Sequence, residues 1–284
     1  MKSAIFMINK NCNQNCKFCL NSWQTSKELT LDEKKKVLDR LKESNVEVVA
    51  FSGGEPLMSK DLIELVDYAY YKNNFKIVIQ TNGTLLNKEF LEQIKGKVFV
   101  LEISLEGLEK EHNYLVGRLN FRKVLKNIKL AKNYLEVFTN FTITKMNKDC
   151  LEDYVKFLDK LEIKVANFTK LYLSGNALKN KEFIPSEKDY GNFLEKLSKI
   201  KSNVLLNVQA GFSEEVLKKY KIQNYSRCSI GKEITITPSG SIRLCPSSPI
   251  NWGDALTSDL NFIKDIKPDN GCLVNNLMEA KCTD

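Results

Sequence analysis

The sequence predicts an α/β protein with a mainly parallel sheet, on three observations. Short apolar runs alternate with segments of helical periodicity over residues 3–173. Two of these runs, residues 46–51 and 75–80, end at glycine-rich or polar loops. Hydrophobic residues make up 43% of the 284-residue chain, which is enough for a large core. Alternating strands and helices indicate βαβ units, forming either an open doubly wound sheet or a curved, incomplete barrel.

Periodicity and capping residues justify the individual elements. Leu31, Val37, Leu38 and Leu41 recur at helical spacing, and Ser186 is a suitable N-cap for a later helix. The predicted strands are residues 3–8, 46–51, 75–80, 98–104, 137–144 and 165–173, with a further strand-like run at 204–208. The predicted helices are residues 30–44, 61–71, 87–94, 121–134, 151–161 and 186–200.

The strand–helix rhythm changes after residue 174. Residues 234–244 read as two short strands around a Pro-Ser-Gly turn, which predicts a hairpin. Four of the eight cysteines fall in the last fifth of the chain. We therefore predict a first domain over residues 1–210 and a cysteine-bearing extension over residues 211–284.

Charge and composition narrow the function classes. The formal charge is +8, but lysines alternate with acids and no basic cluster contains interleaved aromatic residues, so we expect no nucleic-acid partner. His112 is the only histidine, which excludes His-rich metal sites. With no apolar run long enough to span a membrane and no export signal, the sequence predicts a cytoplasmic protein without a membrane partner. Eight cysteines in that compartment indicate metal or redox chemistry.

Three cysteines, Cys12, Cys16 and Cys19, follow the first predicted strand with the spacing Cys-x3-Cys-x2-Cys. Active sites of α/β folds form at this end of the strands. A structural zinc site needs four ligands, and no fourth Cys or His lies nearby. Three thiolates with an open position instead suit a cubane iron–sulfur cluster.

With Phe18, this loop reads Cys-x3-Cys-x-Phe-Cys and resembles the signature of the radical S-adenosylmethionine (radical SAM) superfamily. The resemblance implies that Cys12, Cys16 and Cys19 hold a [4Fe–4S] cluster whose fourth iron binds SAM. It also implies reductive cleavage of SAM to a 5′-deoxyadenosyl radical, chemistry that the cofactor supplies and the protein orients. The fold implied is a partial six-stranded (β/α) TIM-like barrel with a small C-terminal extension.

Further stretches match the family in order, each near the end of a predicted strand. Residues 52–56 resemble the GGEP motif, which binds the methionine amino group, and residues 80–84 resemble the TNG segment. Residues 104–107 resemble S-x-D-G with Glu for Asp, residues 112–121 resemble H-D-x-x-R-G-x-x-x-F, and residues 140–147 resemble the strand facing the adenosine. The cofactor-binding residues implied are Phe18, Gly53, Gly54, Glu55, Thr81, Asn82, Ser104, Glu106, Arg118 and Asn140.

The spacing of Cys228, Gly240 and Cys245 resembles the opening of the SPASM and twitch extensions of radical SAM enzymes. The resemblance implies one auxiliary [4Fe–4S] cluster of the shorter twitch type, held also by Cys272 and Cys282. Incidental thiols or a zinc site at the same four cysteines are the alternatives. Cys150 is left over, either a small buried residue or a hydrogen donor of the kind radical SAM epimerases use.

Two enzymatic hypotheses follow from the resemblance, with a non-catalytic zinc-binding protein as the alternative class. The first is crosslinking, oxidation or epimerisation of a ribosomally made peptide. Because the chain begins at the first strand, a leader peptide would need a separate binding protein. The second is oxidation or epimerisation of a small sugar-like or nucleotide substrate. Either requires an electron donor such as flavodoxin or ferredoxin.

Overall fold

The computed structural model describes residues 3–21, 27–209, 211–226 and 228–261. It confirms an α/β protein with a largely parallel sheet. The strands are β1 (Ser3–Met7), β2 (Val48–Ser52), β3 (Lys76–Thr81), β4 (Val98–Ser104), β5 (Glu136–Ile143), β6 (Val165–Lys170), β7 (Leu205–Val208), β8 (Glu233–Ile236) and β9 (Ile242–Arg243). The helices are α1 (Leu31–Glu43), α2 (Leu62–Asp67), α3 (Lys88–Ile94), α4 (Glu109–Val116), α5 (Phe121–Ala131), α6 (Leu151–Lys160), α7 (Glu187–Lys199) and α8 (Glu214–Lys219).

The described strands form one nine-stranded sheet in the order β7-β6-β5-β4-β3-β2-β1-β8-β9. Neighbours from β7 through β1 to β8 are parallel, and only β8 and β9 are antiparallel. The sheet is not closed, as a partial barrel requires. All six predicted strands of the first domain, the strand at 204–208 and the hairpin are present.

The hairpin β8–β9 continues the barrel sheet instead of forming a sheet of its own. β8 pairs in parallel with β1, Ser3 opposite Glu233 and Phe6 opposite Ile236. The C-terminal segment therefore lies beside the first strand, whose end carries the cysteine loop. This pairing joins residues on both sides of the predicted domain boundary.

Local capping explains where the helices begin. Thr30 and Glu33 form a capping box at α1, and Ser186 and Asp189 form another at α7. The predicted helix 61–71 is divided: α2 ends at Asp67 and a π-helical turn follows over Tyr68–Lys72. Helix α4 has no counterpart among the predicted elements, because it is a short helix between two loops.

The core lies between the outer face of the sheet and the helices. Around Phe141 it contains a group of touching rings that includes Tyr154, Phe168 and Phe193, all almost fully buried. Side chains alternate along the strands, so the other face of each strand points into the barrel. Among the described residues, no helix is long and apolar enough to cross a membrane.

Candidate active site

A cavity of about 1160 Å³ occupies the inside of the barrel. Its wall includes both sets of cysteines that the structure describes. The predicted site residues that line it are Cys12, Cys16, Phe18, Cys19, Gly53, Gly54, Thr81, Asn82, Ser104, Glu106, Asn140, Cys228 and Cys245. Glu55 and Arg118 do not line the cavity.

The cysteine loop presents Cys12, Cys16 and Cys19 as thiols rather than disulfides. Burial raises the pKa of Cys12 and raises that of Cys16 well above its usual range, with Cys19 and Cys12 adding to the latter. Both directions oppose the thiolate form, and a bound cation favours it, because metal ligation requires deprotonated cysteines. An iron–sulfur core supplies that charge. The amide N–H of Gln14 and the Asn82 side chain point at the Cys12 sulfur, at 3.4 and 3.9 Å, as donors that stabilise a thiolate ligand.

The loop after β2 lies directly against the cysteine loop. Gly54 N–H donates to the Asn9 carbonyl at 2.9 Å, and Glu55 N–H donates to the Asn11 carbonyl at 2.7 Å. Gly53 has a φ of +148°, and a Cβ there would lie 2.5 Å from the Asn9 carbonyl oxygen. A Cβ on Gly54 would overlap the backbone of Asn11. The two glycines therefore allow backbone contact between the loops, in addition to any contact with a ligand.

The Glu55 carboxylate connects these two loops to the end of β3. It is fully buried and accepts from Thr81 Oγ1 at 2.6 Å, from the Asn82 N–H at 2.8 Å and from the Leu57 N–H at 3.1 Å. The Asn9 side chain donates to the Glu55 carbonyl at 2.8 Å. Burial raises the pKa of Glu55, and the three donors oppose that rise. In this arrangement Glu55 acts on the site through its neighbours.

The cysteine loop is held on its other side by residues that the sequence analysis did not identify. Asn176, in the turn after β6, donates through its side chain to the Cys16 carbonyl at 2.8 Å and through its backbone to the Cys19 carbonyl at 2.9 Å. Asn180 donates to the Lys17 carbonyl at 3.1 Å. Asn and Gly are common in turns, so nothing in the sequence marked these residues as partners of the cysteine loop.

Glu106 follows β4 and faces the cavity. The Thr142 N–H donates to its carboxylate at 2.7 Å, and burial raises the pKa of Glu106 to about 8. Ser104 and Asn140, paired across β4 and β5, line the wall beside it. Together they offer hydroxyl, amide and carboxyl groups, the groups suited to ribose or methionine contacts.

The segment that resembles H-D-x-x-R-G-x-x-x-F has a structural role in this protein. His112 Nδ1 accepts from the Glu106 N–H at 3.2 Å, so Nε2 carries the proton and donates to Asn120 Oδ1 at 3.0 Å. Asn113 Oδ1 accepts from the N–H groups of Asn120 and Phe121, both at 2.9 Å, and so caps the start of α5. Arg118 is exposed.

Cys228 and Cys245 border the same cavity as the first three cysteines. The other two predicted ligands, Cys272 and Cys282, lie outside the described residues. Within the described ranges, no three His, Cys, Asp or Glu side chains converge on a point where a single metal ion would fit. Cys150 does not line the cavity. Its thiol lies 3.1 Å from the Asn147 carbonyl oxygen, and burial raises its pKa to about 12.

Polar residues within the strands complete the wall, and the sequence analysis did not assign them to the site. Glu102 of β4 is 9% exposed and accepts from Gln80, Asn167 and Gln209. Each of these residues interrupts or ends an apolar strand. A polar side chain inside such a strand is the sequence feature that could have identified them as part of the site. Their convergence depends on strand pairing between segments far apart in the chain.

The Radical SAM superfamily profile matches residues 7–161, more than half of the chain. This chain therefore belongs to the radical SAM superfamily. It is an enzyme of that class, and its cofactors are S-adenosylmethionine and a [4Fe–4S] cluster. The cysteine loop, followed by the glycine loop one strand later, fits these cofactors.

Two relatives and two solved structures of one protein show how far the likeness extends. An uncharacterized protein of Methanocaldococcus jannaschii is 28% identical over 256 residues, covering 87% of this chain and 85% of the relative. The S-adenosylmethionine-dependent nucleotide dehydratase of Selenomonas ruminantium is 26% identical, covering 76% and 86%. Streptococcus suis SuiB bound to S-adenosylmethionine has a TM-score of 0.72 at 17% identity, covering 94% of this chain and 66% of SuiB. SuiB bound to its precursor peptide SuiA gives 0.70. The likeness to SuiB concerns the fold.

We predict that Gly54→Ala loses most of its cluster and its SAM binding. The added methyl group displaces the backbone of Asn11, next to Cys12. Iron content after anaerobic reconstitution and equilibrium SAM binding measure the effect. Gly96→Ala is the control for adding a methyl group without a clash: Gly96 has a φ of +76°, and a Cβ there meets nothing within 4 Å. Gly96→Ala should lower the free energy of unfolding by about 1 kcal/mol and leave the iron content unchanged. Equal iron in both variants would contradict the packing argument.

We predict that His112 makes stability fall as the pH is lowered. Burial lowers the pKa of His112 to about 4. Below about pH 6.5 this side chain is therefore protonated in the unfolded chain but still neutral in the folded chain. Between pH 7 and pH 5 the free energy of unfolding of the cluster-free protein should drop by about 2 kcal/mol on this account. Urea titrations of wild type and His112→Gln measure the difference. A variant with the same pH slope as wild type would refute the assignment.

Proposed function

We propose that this enzyme modifies a ribosomally made peptide by crosslinking, oxidation or epimerisation. Its cofactors supply a 5′-deoxyadenosyl radical, which abstracts a hydrogen atom from a substrate carbon. The observation that carries the proposal is a single large cavity bordered by both the SAM-binding loops and the second pair of cysteines. SuiB, which has the same fold, is known bound to its precursor peptide SuiA.

The lining of the cavity supports the following roles for its residues. Cys12, Cys16 and Cys19 hold the cluster that binds SAM. Residues in or just after β2, β3, β4 and β5 bind SAM itself, with Gly53, Gly54, Asn82, Ser104, Glu106 and Asn140 on the cavity surface. Phe18 and Thr81 complete that surface. Glu55 positions the loops. Arg118 is exposed and does not line the cavity, so contact with SAM would require its side chain to turn toward the barrel.

An auxiliary [4Fe–4S] cluster on residues 211–284 would complete the enzyme as a SPASM/twitch-type protein. Cys228 precedes β8 and Cys245 follows β9, so the hairpin brings both to the cavity wall. Cys272 and Cys282 would supply the remaining two ligands. Such a cluster would accept the electron of a substrate radical and make the net reaction an oxidation. Flavodoxin or ferredoxin is the electron donor we propose, and a separate protein would bind the leader peptide.

The second candidate function is modification of a small nucleotide or sugar-like substrate. The observation that favours it is the similarity to the Selenomonas ruminantium nucleotide dehydratase over most of both chains. A nucleoside triphosphate needs a group of cations in the cavity. The described wall contains only Lys170 and Lys232, and this count favours the peptide.

Deuterium transfer tests the proposed reaction. The reduced enzyme is incubated with SAM and deuterated precursor peptides encoded near its own gene, and in parallel with deuterated nucleotides. We expect deuterium in 5′-deoxyadenosine with a peptide, because the abstracted atom ends on the 5′ carbon. Cys16→Ala, which lacks one cluster ligand, is the control that should form no 5′-deoxyadenosine. Transfer from nucleotides alone would replace the peptide proposal with the second candidate.

Iron analysis tests the two-cluster assignment. We predict about eight iron atoms per chain after anaerobic reconstitution and about four in Cys228→Ala/Cys245→Ala. Cys150→Ala is the matched control, because this thiol lies outside the cavity and should leave the iron unchanged. About four iron atoms in wild type would remove the auxiliary cluster. Stoichiometric zinc without iron would remove the proposed function.

A further inference from the structure

Among the described residues, a carboxylate inside the barrel is held by neutral side chains only. Glu102 Oε2 accepts from Gln80 Nε2 at 2.8 Å, and Oε1 accepts from Asn167 Nδ2 at 2.7 Å and Gln209 Nε2 at 3.3 Å. Glu102 lines the cavity from β4, one inward-facing position below Ser104. An ionised carboxylate has about four acceptor positions, so these three donors leave one to offer to a ligand.

The donors around Glu102 are themselves fixed in orientation. Asn207 Nδ2 donates to Asn167 Oδ1 at 2.8 Å, and Thr169 Oγ1 donates to Gln209 Oε1 at 2.7 Å. Because the amide oxygens accept these bonds, the amide N–H groups must face Glu102. The network therefore presents an oriented negative charge at the cavity surface, as a preorganised binding group does.

A second carboxylate, Glu233, borders the cavity from β8. It accepts from Ser3 Oγ at 2.9 Å and Ser229 Oγ at 3.1 Å. Burial raises the pKa of Glu233, and the charge of Glu102 raises it further, so the two carboxylates interact. Within the described ranges neither forms an ion pair with Lys or Arg.

The rest of the described cavity wall has the same sign. Five glutamates border it against two lysines, Lys170 and Lys232. Glu214 is paired with Lys218 at 2.8 Å, and burial raises the pKa of Glu106 to about 8, so that this side chain is mostly protonated near neutral pH. The negative charge of the wall therefore comes from Glu102, Glu215 and Glu233. Lys170 is already paired with Glu187 at 3.1 Å and lies over the Tyr190 ring at 4.8 Å. A thiolate-ligated cluster adds further negative charge. An anionic substrate group would be repelled here, and a buried carboxylate without a cation is costly until one arrives.

We propose that Glu102 is a specificity-determining residue that receives a protonated amine or guanidinium of the substrate. The proposal rests on the proposed function, because it takes the barrel cavity as the substrate site. In the peptide reaction the group is a lysine or arginine side chain, or an α-amine, of the modified segment. Glu233 borders the same cavity from β8.

Matched probes test this charge preference without any turnover. The reconstituted enzyme with SAM bound is titrated by calorimetry with N-acetyl-lysine-N-methylamide, its norleucine analogue and its glutamate analogue. Inorganic pyrophosphate serves as the anionic probe. We expect the lysine probe to bind about tenfold or more tighter than the norleucine probe, and neither anion to bind better than norleucine.

Variants locate the preference on Glu102. Glu102→Gln should reduce lysine-probe affinity about tenfold or more and leave norleucine-probe affinity unchanged. Glu89→Gln removes the same charge from an exposed position of α3 and should change neither affinity. If Glu102→Gln does not retain its clusters, Glu233→Gln tests the effect of negative charge in the same cavity. This variant should lower the affinity for the lysine probe and leave the affinity for the norleucine probe unchanged.

Two results would overturn the proposal: tighter binding of pyrophosphate than of the lysine probe, or a lysine preference that persists in Glu102→Gln. SAM cleavage to 5′-deoxyadenosine, measured on the same samples, separates this failure from failure of the proposed function. Normal cleavage with no lysine preference rejects Glu102 as the specificity residue and keeps the radical chemistry. A protein that binds no cluster and cleaves no SAM rejects the proposed function itself.

Discussion

The site depends on one buried carboxylate, Glu55, which joins the ends of the first three strands. Its backbone pairs with Asn11 in the cysteine loop, and its side chain accepts from Thr81 and the Asn82 N–H after β3. Asn82 in turn donates to Asn13 at 2.8 Å, back in the cysteine loop. A buried ionised group is tolerated only when its acceptor positions are filled, so these loops can move apart only at a large cost.

The close contact between these loops also explains why residues 53 and 54, beside Glu55, are glycines. The loops approach so closely that a side chain at residue 53 or 54 would overlap the Asn9–Asn11 backbone. Seen alone, two glycines suggest room for a ligand. In the structure they allow hydrogen bonds between the backbones of the two loops. The part of the glycine loop that this contact does not cover faces the cavity. The Asn176 bonds on the other side complete the support of the cysteine loop.

The sequence was sufficient for the fold and for the rim of the cavity, since both depend on local patterns. Strand periodicity, the Ser186 cap and the cysteine spacing are readable from neighbouring residues. The network around Glu102 could not be predicted from the sequence, because Gln80, Asn167 and Gln209 meet it only through the pairing of five strands, β3 to β7. Likewise, β8 joins β1 across more than two hundred residues, a contact that no local pattern encodes.

The measurement that tests the central role of Glu55 most directly is the free energy of unfolding of cluster-free, SAM-free protein, wild type against Glu55→Gln. The isosteric amide places a donor among Thr81 and the Asn82 and Leu57 N–H groups, which need an acceptor. If Glu55 joins the loops, the variant loses about 2 kcal/mol or more before any ligand is added. Equal stability of the two proteins, with SAM binding lost only in the variant, would show that Glu55 serves the ligand and not the loops.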